Sequence, residues 1–302
     1  MIIKLKNIFF IISIIIGQVL MVGCERRDLV DIPTSSLYIK TNWDGEEKAK
    51  SEFFYVAVYP QDGKGEVITS FIQSEGGYVM VPRGKFDVLI YSFDYESIMV
   101  GLTSRFLTSY ATTSQAKPNN LFKSFQPNKS ILNETDSLFY TGTYEGINIE
   151  YADNEYIIEI SPKNIIYHFE IKVEIYNPES IAEIHGLVSG LSGSYLLGKK
   201  ELANDSVSIK TRLHLDKEYM VFSFNTFGLV PNSNHSLSVD IGLLNNDNRV
   251  FKFDITRELL RIPNGGSITL DSIIDIPLVS TGGGMGGTVV GWGNEEGVEI
   301  IL

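Results

Sequence analysis

The chain has 302 residues, with 25 Lys and Arg against 37 Asp and Glu, a formal net charge of −12. That balance argues against a nucleic-acid partner, since such affinity comes mainly from basic side chains on phosphates, while 43% hydrophobic residues support packed cores. The single Cys excludes an internal disulfide, a CxxC pair and a cysteine-rich zinc cluster.

The first element in chain order is a leader. Met1 to Gly23 carries Lys4 and Lys6 and then an apolar run from Ile8 to Leu20, too short to span a bilayer comfortably. Leu20-Met21-Val22-Gly23-Cys24 follows and resembles a lipobox, with Met21 where Leu is usual. Cys24 is therefore the candidate lipidation site; the alternative is an ordinary residue beyond a secretory cleavage point. Several acyl chains on Cys24 would anchor the protein to a membrane without spanning it. Residues 24–35 contain Glu25, Arg26, Arg27 and Pro33 and read as a tether.

Beyond the tether, apolar residues recur with period two in short blocks bounded by turn residues, the pattern of antiparallel strands with one buried face. Strands are expected at 37–43, 54–58, 67–72, 78–81 and 86–93. Residues 109–136 read as a long polar connection with one short strand at 121–125. Strands resume at 137–140, 147–151 and 156–160, and Pro162 marks an expected boundary. The second half gives strands at 165–176, 206–213, 219–224, 237–244, 249–253 and 267–274. A short helix over 256–261 capped by Asp254 is expected. Ile181, Ile184, Val188 and Leu191 have helical spacing, but Gly186, Gly190 and Gly193 suit a turn better. The expected architecture is all-β: a leader (1–23), a tether (24–35), two tandem β-sandwich domains (36–162 and 163–278), and a Gly-rich hinge with a terminal β segment (279–302).

Chemistry-bearing residues are sparse. His168 alternates with Glu170, and His214 with Arg212 and Asp216, but no third ligand has metal-site spacing. No G-x-S-x-G elbow supports a hydrolase. Gly282, Gly284 and Gly287 spell G-x-G-x-x-G, yet too few residues follow for the helix and acidic residue of a dinucleotide site. No catalytic residue, metal site or cofactor is assigned. The terminal segment, with Val289, Trp292, Val298, Ile300 and Leu302, reads as a hairpin that either completes its own sheet or is added to a partner's open sheet edge. Tyr140, Tyr144, Tyr151 and Tyr156 are a candidate binding face for a surface glycan, the alternative function.

Longer motifs carry a resemblance. Cys24 to Leu29, Val81-Pro-Arg-Gly-Lys-Phe-Asp-Val-Leu-Ile-Tyr, Ser189-Gly-Leu-Ser-Gly, Asn225-Thr-Phe-Gly, Phe253-Asp-Ile-Thr and the Gly-rich end with Trp292 resemble Bacteroidetes lipoproteins of the fimbrillin superfamily, of the anchor or accessory type. The resemblance implies transthyretin-like sandwiches, no enzymatic activity, fimbrial subunits as partners and an outer-membrane location, lipid-anchored at the cell surface. It also implies that polymerising relatives lose an N-terminal strand to open a groove. The equivalent here would be Leu37 to Trp43, with Arg26 or Arg27 as the cut, and an anchor would stay uncut. It further suggests O-glycosylation at Asp-Ser-apolar triplets, here Ser137, Ser206 and Ser272.

Overall fold

Alternating β-branched and aromatic residues give one apolar face per strand, and in the computed structural model those faces close into two sandwiches. Residues 33–43, 52–93, 95–116, 130–151, 154–278 and 298–299 are described. The expected leader, Cys24, the strand at 121–125, Val289, Trp292, Ile300 and Leu302 lie outside them.

The first half supplies β1 (Thr34–Thr41), β2 (Phe53–Pro60), β3 (Ile68–Gln73), β4 (Gly76–Pro82), β5 (Gly84–Ser92), β6 (Ile98–Gly101), β7 (Tyr110–Thr113), β8 (Ile131–Leu132), β9 (Tyr140–Ile149), β10 (Glu155–Ile160) and β11 (Lys163–Asn164). The second supplies β12 (Tyr167–Tyr176), β13 (Ile181–Ser192), β14 (Ser194–Leu196), β15 (Glu201–Leu202), β16 (Ser206–Lys210), β17 (Arg212–Asp216), β18 (Tyr219–Thr226), β19 (Ser236–Leu243), β20 (Asn248–Asp254), helix α1 (Thr256–Leu259), β21 (Gly266–Asp275) and β22 (Val298–Glu299).

The first sandwich folds one sheet on itself, in the order β10-β1-β4-β3-β2-β5-β9-β11. β3 and β4 pair only at Gln73 and Gly76, so that hairpin passes the chain from one layer to the other. Leu37, Ile39, Val56, Val88, Ile149 and Ile158 are among the side chains between the layers. The second sandwich stacks β17-β18-β12-β21 on β20-β19-β13-β16-β8. Its core includes Phe169 stacked on Phe224, with centroids 5.4 Å apart. Most pairs are antiparallel, but β1–β10, β12–β21 and β16–β8 are parallel.

Several expectations are corrected. The 181–191 segment is neither helix nor turn but the long strand β13. Register shifts between Ile181 and Glu183 and between Ser189 and Leu191 displace its apolar alternation at each end, giving 3-4-3 spacing that imitates a helix. Gly186 lies under the Phe222 ring and Thr211, where a Cβ would collide, and Gly190 takes φ +90 at the second shift. The described parts of the 109–136 connection, 109–116 and 130–136, hold strands: β7 pairs with β6 and with β14, and β8 pairs with β16, so these parts tie the two halves together. β9 is one strand from 140 to 149, and 137–139 lies outside it. Asp254 accepts the Thr256 N–H (3.0 Å) one position before the actual N-cap, Ile255.

A third cluster, including Tyr59, Leu89, Tyr91, Phe106, Phe139, Ile166, Leu197 and Phe227, fills the junction between the sandwiches.

Candidate functional site

The N-terminal strand of the described chain occupies an interior position. β1 runs parallel to β10 on one side, from Ser36 opposite Glu155 to Thr41 opposite Ile160. On the other side it runs antiparallel to β4, from Thr34 opposite Pro82 to Lys40 opposite Gly76. Its period-2 pattern sends Ser35, Leu37, Ile39 and Thr41 inward, and Leu37 and Ile39 have no solvent exposure. Burial of each such side chain is worth about 1.5–3 kcal/mol. Hydroxyls tie both ends: Ser35 Oγ donates to the Tyr151 carbonyl (2.6 Å), and Thr41 Oγ1 donates to the Ser74 carbonyl (2.5 Å). Trp43 Nε1 donates to that same carbonyl (3.1 Å) and its ring packs edge-on against Tyr140 (5.4 Å). Without β1, strands β4 and β10 would face an open groove with the core as its floor. Such a strand can be lost, or replaced by another of the same pattern, without rethreading the chain.

A second edge lies in the other sandwich. β16 pairs with β13 only from Leu187 onward, leaving the Glu183–Ile184 stretch of that edge to β22: Val298 sits opposite Ile184 and Glu299 opposite Glu183. Among the expected terminal-strand residues, Val298 is the one within the described chain.

The histidines divide by burial. His168 Nδ1 contacts Asn225 Oδ1 (2.8 Å), and its Nε2 lies 3.8 Å from Glu170. Asn225 Nδ2 donates to the Thr135 carbonyl (3.3 Å), while its backbone N–H donates to Glu134 (3.3 Å). Arg212 pairs with Glu134 at 2.9 Å rather than serving His214, which is exposed. Burial holds the Glu134 carboxyl above its usual range, and Arg212 offsets only part of that rise. Sequence reasoning missed Glu134 and Asn225, because Glu134 sits in a stretch read as surface connection; its partners show it fastening that stretch to the second sandwich. Buried His185 lies opposite Asp240 across β13 and β19, 3.5 Å from Glu183, and burial raises the Asp240 carboxyl. His235 is fully buried, and desolvation lowers its imidazole. Among the described residues, no group of three His, Cys, Asp or Glu is placed to hold a metal ion.

The four tyrosines do not form one face. Tyr140 is buried against Trp43, Tyr156 packs on the core and accepts the Glu150 and Tyr151 N–H groups, and Tyr144 and Tyr151 are exposed. Ser137 and Ser272 are exposed and Ser206 is half-buried at the start of β16. Among the described residues no helix is long and apolar enough to cross a membrane.

Residues 23–211 match the family described as a domain of unknown function, DUF5119. The chain belongs to this family. Across almost its whole length the DUF5119 protein is 25% identical to the Bacteroides ovatus protein named "Putative fimbrium anchoring subunit Fim4B", covering 98% of this chain and 99% of that one. Its fold matches a crystal structure titled as a putative adhesin from Bacteroides ovatus, with TM-score 0.69, 21% identity, and coverage of 86% of this chain and 98% of that one. It also matches the fimbrial anchor protein Mfa2 from Porphyromonas gingivalis, with TM-score 0.54, 15% identity, and coverage of 80% and 90%. The resemblance to fimbrial anchor proteins read from the sequence is met again in the Bacteroides ovatus relative, named as a putative fimbrium anchoring subunit.

Proposed function

We propose that the protein is a lipid-anchored, non-enzymatic subunit that attaches a fimbria-like polymer to the outer membrane, with neighbouring subunits joined by β-strand addition. The observation that carries this reading is the end-to-end kinship with a protein named as a fimbrium anchoring subunit. Cys24 in its lipobox context supplies the lipid, and residues 24–35 the tether. Residues 36–162 and 163–278 are the two proposed sandwich domains, except that β8 adds to the sheet of the second and β11 to the sheet of the first. Retained β1 keeps the first domain closed, so the chain does not receive a partner strand there. The terminal segment 279–302, with Val289, Trp292, Val298, Ile300 and Leu302, is the candidate donated strand, and donation would exchange the β22–β13 pairing within this chain for a partner's sheet edge. Ser137, Ser206 and Ser272 are candidate O-glycosylation sites, to be read by intact-protein mass spectrometry. The glycan-binding alternative loses support, because of the four tyrosines it invoked only Tyr144 and Tyr151 are exposed.

The test pairs labelled palmitate with electron microscopy of cells. Wild type takes up label and retains fimbriae at its surface. Cys24→Ala takes up none and sheds fimbriae into the medium. Fimbriae that stay attached in the Cys24→Ala strain overturn the anchoring role.

A further inference from the structure

The junction cluster covers Ala57, Tyr59, Leu89 and Tyr91 on the outer face of β2 and β5, and leaves the neighbouring outer face of β3 uncovered at Phe71. In the covered part, Tyr91 packs on fully buried Phe139 at 6.1 Å. The ring row then continues outward. Tyr55 stacks on Tyr91 (5.1 Å, 26°), Phe71 meets Tyr55 edge-on (4.9 Å, 86°), and Phe93 meets Phe71 edge-on (5.2 Å, 89°). Tyr95 closes the row, 6.4 Å from Phe93 and 5.3 Å from Phe139. Phe71 and Phe93 remain 52% and 50% exposed. Their rings have no polar atom to offer water, and a contiguous apolar surface of this kind marks an interaction site.

We propose that this aromatic row is the docking face for an adjoining protein subunit of the fimbria, one presenting apolar side chains ringed by Lys or Arg; this rests on the anchoring function proposed above. Three observations choose the occupant. The row is continuous with the junction between the sandwiches, so a third packed body extends an interface the chain already makes. Exposed Glu52 and Glu96 border it, and with a net charge of −12 a basic-rimmed partner is favoured over a second copy of this acidic chain. The row also lies at the end of the first sandwich away from the tether. Phe93 N–H bonds to the Phe53 carbonyl and Ser74 N–H to the Glu52 carbonyl, beside the Thr41 end of β1, whereas the lipid would enter at Thr34. Eight strand residues separate these ends by about 25 Å, which places the row away from the bilayer. The edge-to-face rings suit interdigitating side chains better than the flat stacking a sugar requires.

Full-length lipidated protein in detergent micelles, with fimbriae sheared from the expressing cells as probe, tests this. Phe71→Ser/Phe93→Ser should weaken binding at least tenfold, while Ile157→Ser, 66% exposed on β10, changes it less than twofold. Should the double variant melt early, Glu52→Lys/Glu96→Lys, which alters only exposed rim charges, must still weaken binding, most at low salt. Full binding by both variants overturns the proposal. So does a loss confined to phosphatidylglycerol vesicles or to an oligosaccharide panel. Wild type that does not bind the sheared fimbriae overturns the anchoring function itself, and this face with it.

Discussion

The two sandwiches differ in the size and the chemistry of their cores, the second burying the larger apolar cluster. In the first, the core is aliphatic and aromatic, and its buried polar side chains are hydroxyls such as Ser35, Thr41 and Thr141. Its completing strand is β1, at the start of the described chain. In the second, the corresponding interior strands β12, β13 and β19 lie mid-chain, and buried His185, His235 and Asp240 accompany the apolar residues. The first is therefore vulnerable to losing one terminal segment, and the second to protons. That asymmetry puts the integrity of the first sandwich on one segment near the start of the described chain, and that of the second on strands from its middle.

The largest expected effect comes from excising β1. Leu37, Ile39 and two flanking ladders go together, a loss comparable to the about 5–15 kcal/mol that holds a whole domain. Hydrogen exchange should show β4 and β10 losing protection while β12 and β13 keep theirs. A peptide of sequence TSSLYIKT added in trans should restore it. Equal loss in both sandwiches would mean that they form one cooperative unit and that the contrast fails.

Gly186→Ala tests the second sandwich. The added methyl meets the Phe222 ring and Thr211 inside a packed core, and overpacking of this kind costs about 1–3 kcal/mol. Urea unfolding should show that loss in the second transition only.

Gly186 also shows where the sequence was legible. Uninterrupted strands such as β1, β2 and β19 declare themselves by alternation, because each keeps one apolar set on the core without a register shift. β13 does not, since two register shifts turn its alternation into helical spacing, and only its partners reveal the strand. The pairs formed by β6, β7, β8, β14 and β15 were missed for another reason. They are two to four residues long and are stabilised by contacts between distant segments, which local pattern does not record. Inward-facing Leu37 and Ile39 could be read from period two; the parallel partner β10, more than a hundred residues away, could not.

Acid should separate the sandwiches next. Burial holds the His235 imidazole below its usual 6.5, so as pH falls the unfolded chain takes up this proton before the folded one does. Stability should decline below about pH 6.5, by at most ~1.4 kcal/mol per unit, until pH passes the depressed folded value. Asp240 works in the opposite sense: its raised carboxyl contributes stability below 3.8 that is lost as pH rises through its folded value. His235→Leu should therefore remove the acid loss, leaving a second transition that gains stability on acidification. An unchanged acid profile in His235→Leu would assign the loss elsewhere.

The smallest effect is expected at the Lys40–Glu159 pair, which spans β1 and β10 at 3.6 Å with both side chains about half exposed. Water screens such a pair, and exposed pairs contribute about 0–1 kcal/mol. Lys40→Ala should shift the first transition by no more than that, and the shift should vanish in 1 M salt, where the Debye length is about 3 Å. The measurement matters because it tells which force retains β1. If burial of Leu37 and Ile39 does so, exchange of that strand is indifferent to ionic strength. If Lys40→Ala costs several kcal/mol, charge holds the strand, and salt alone should begin to open the groove.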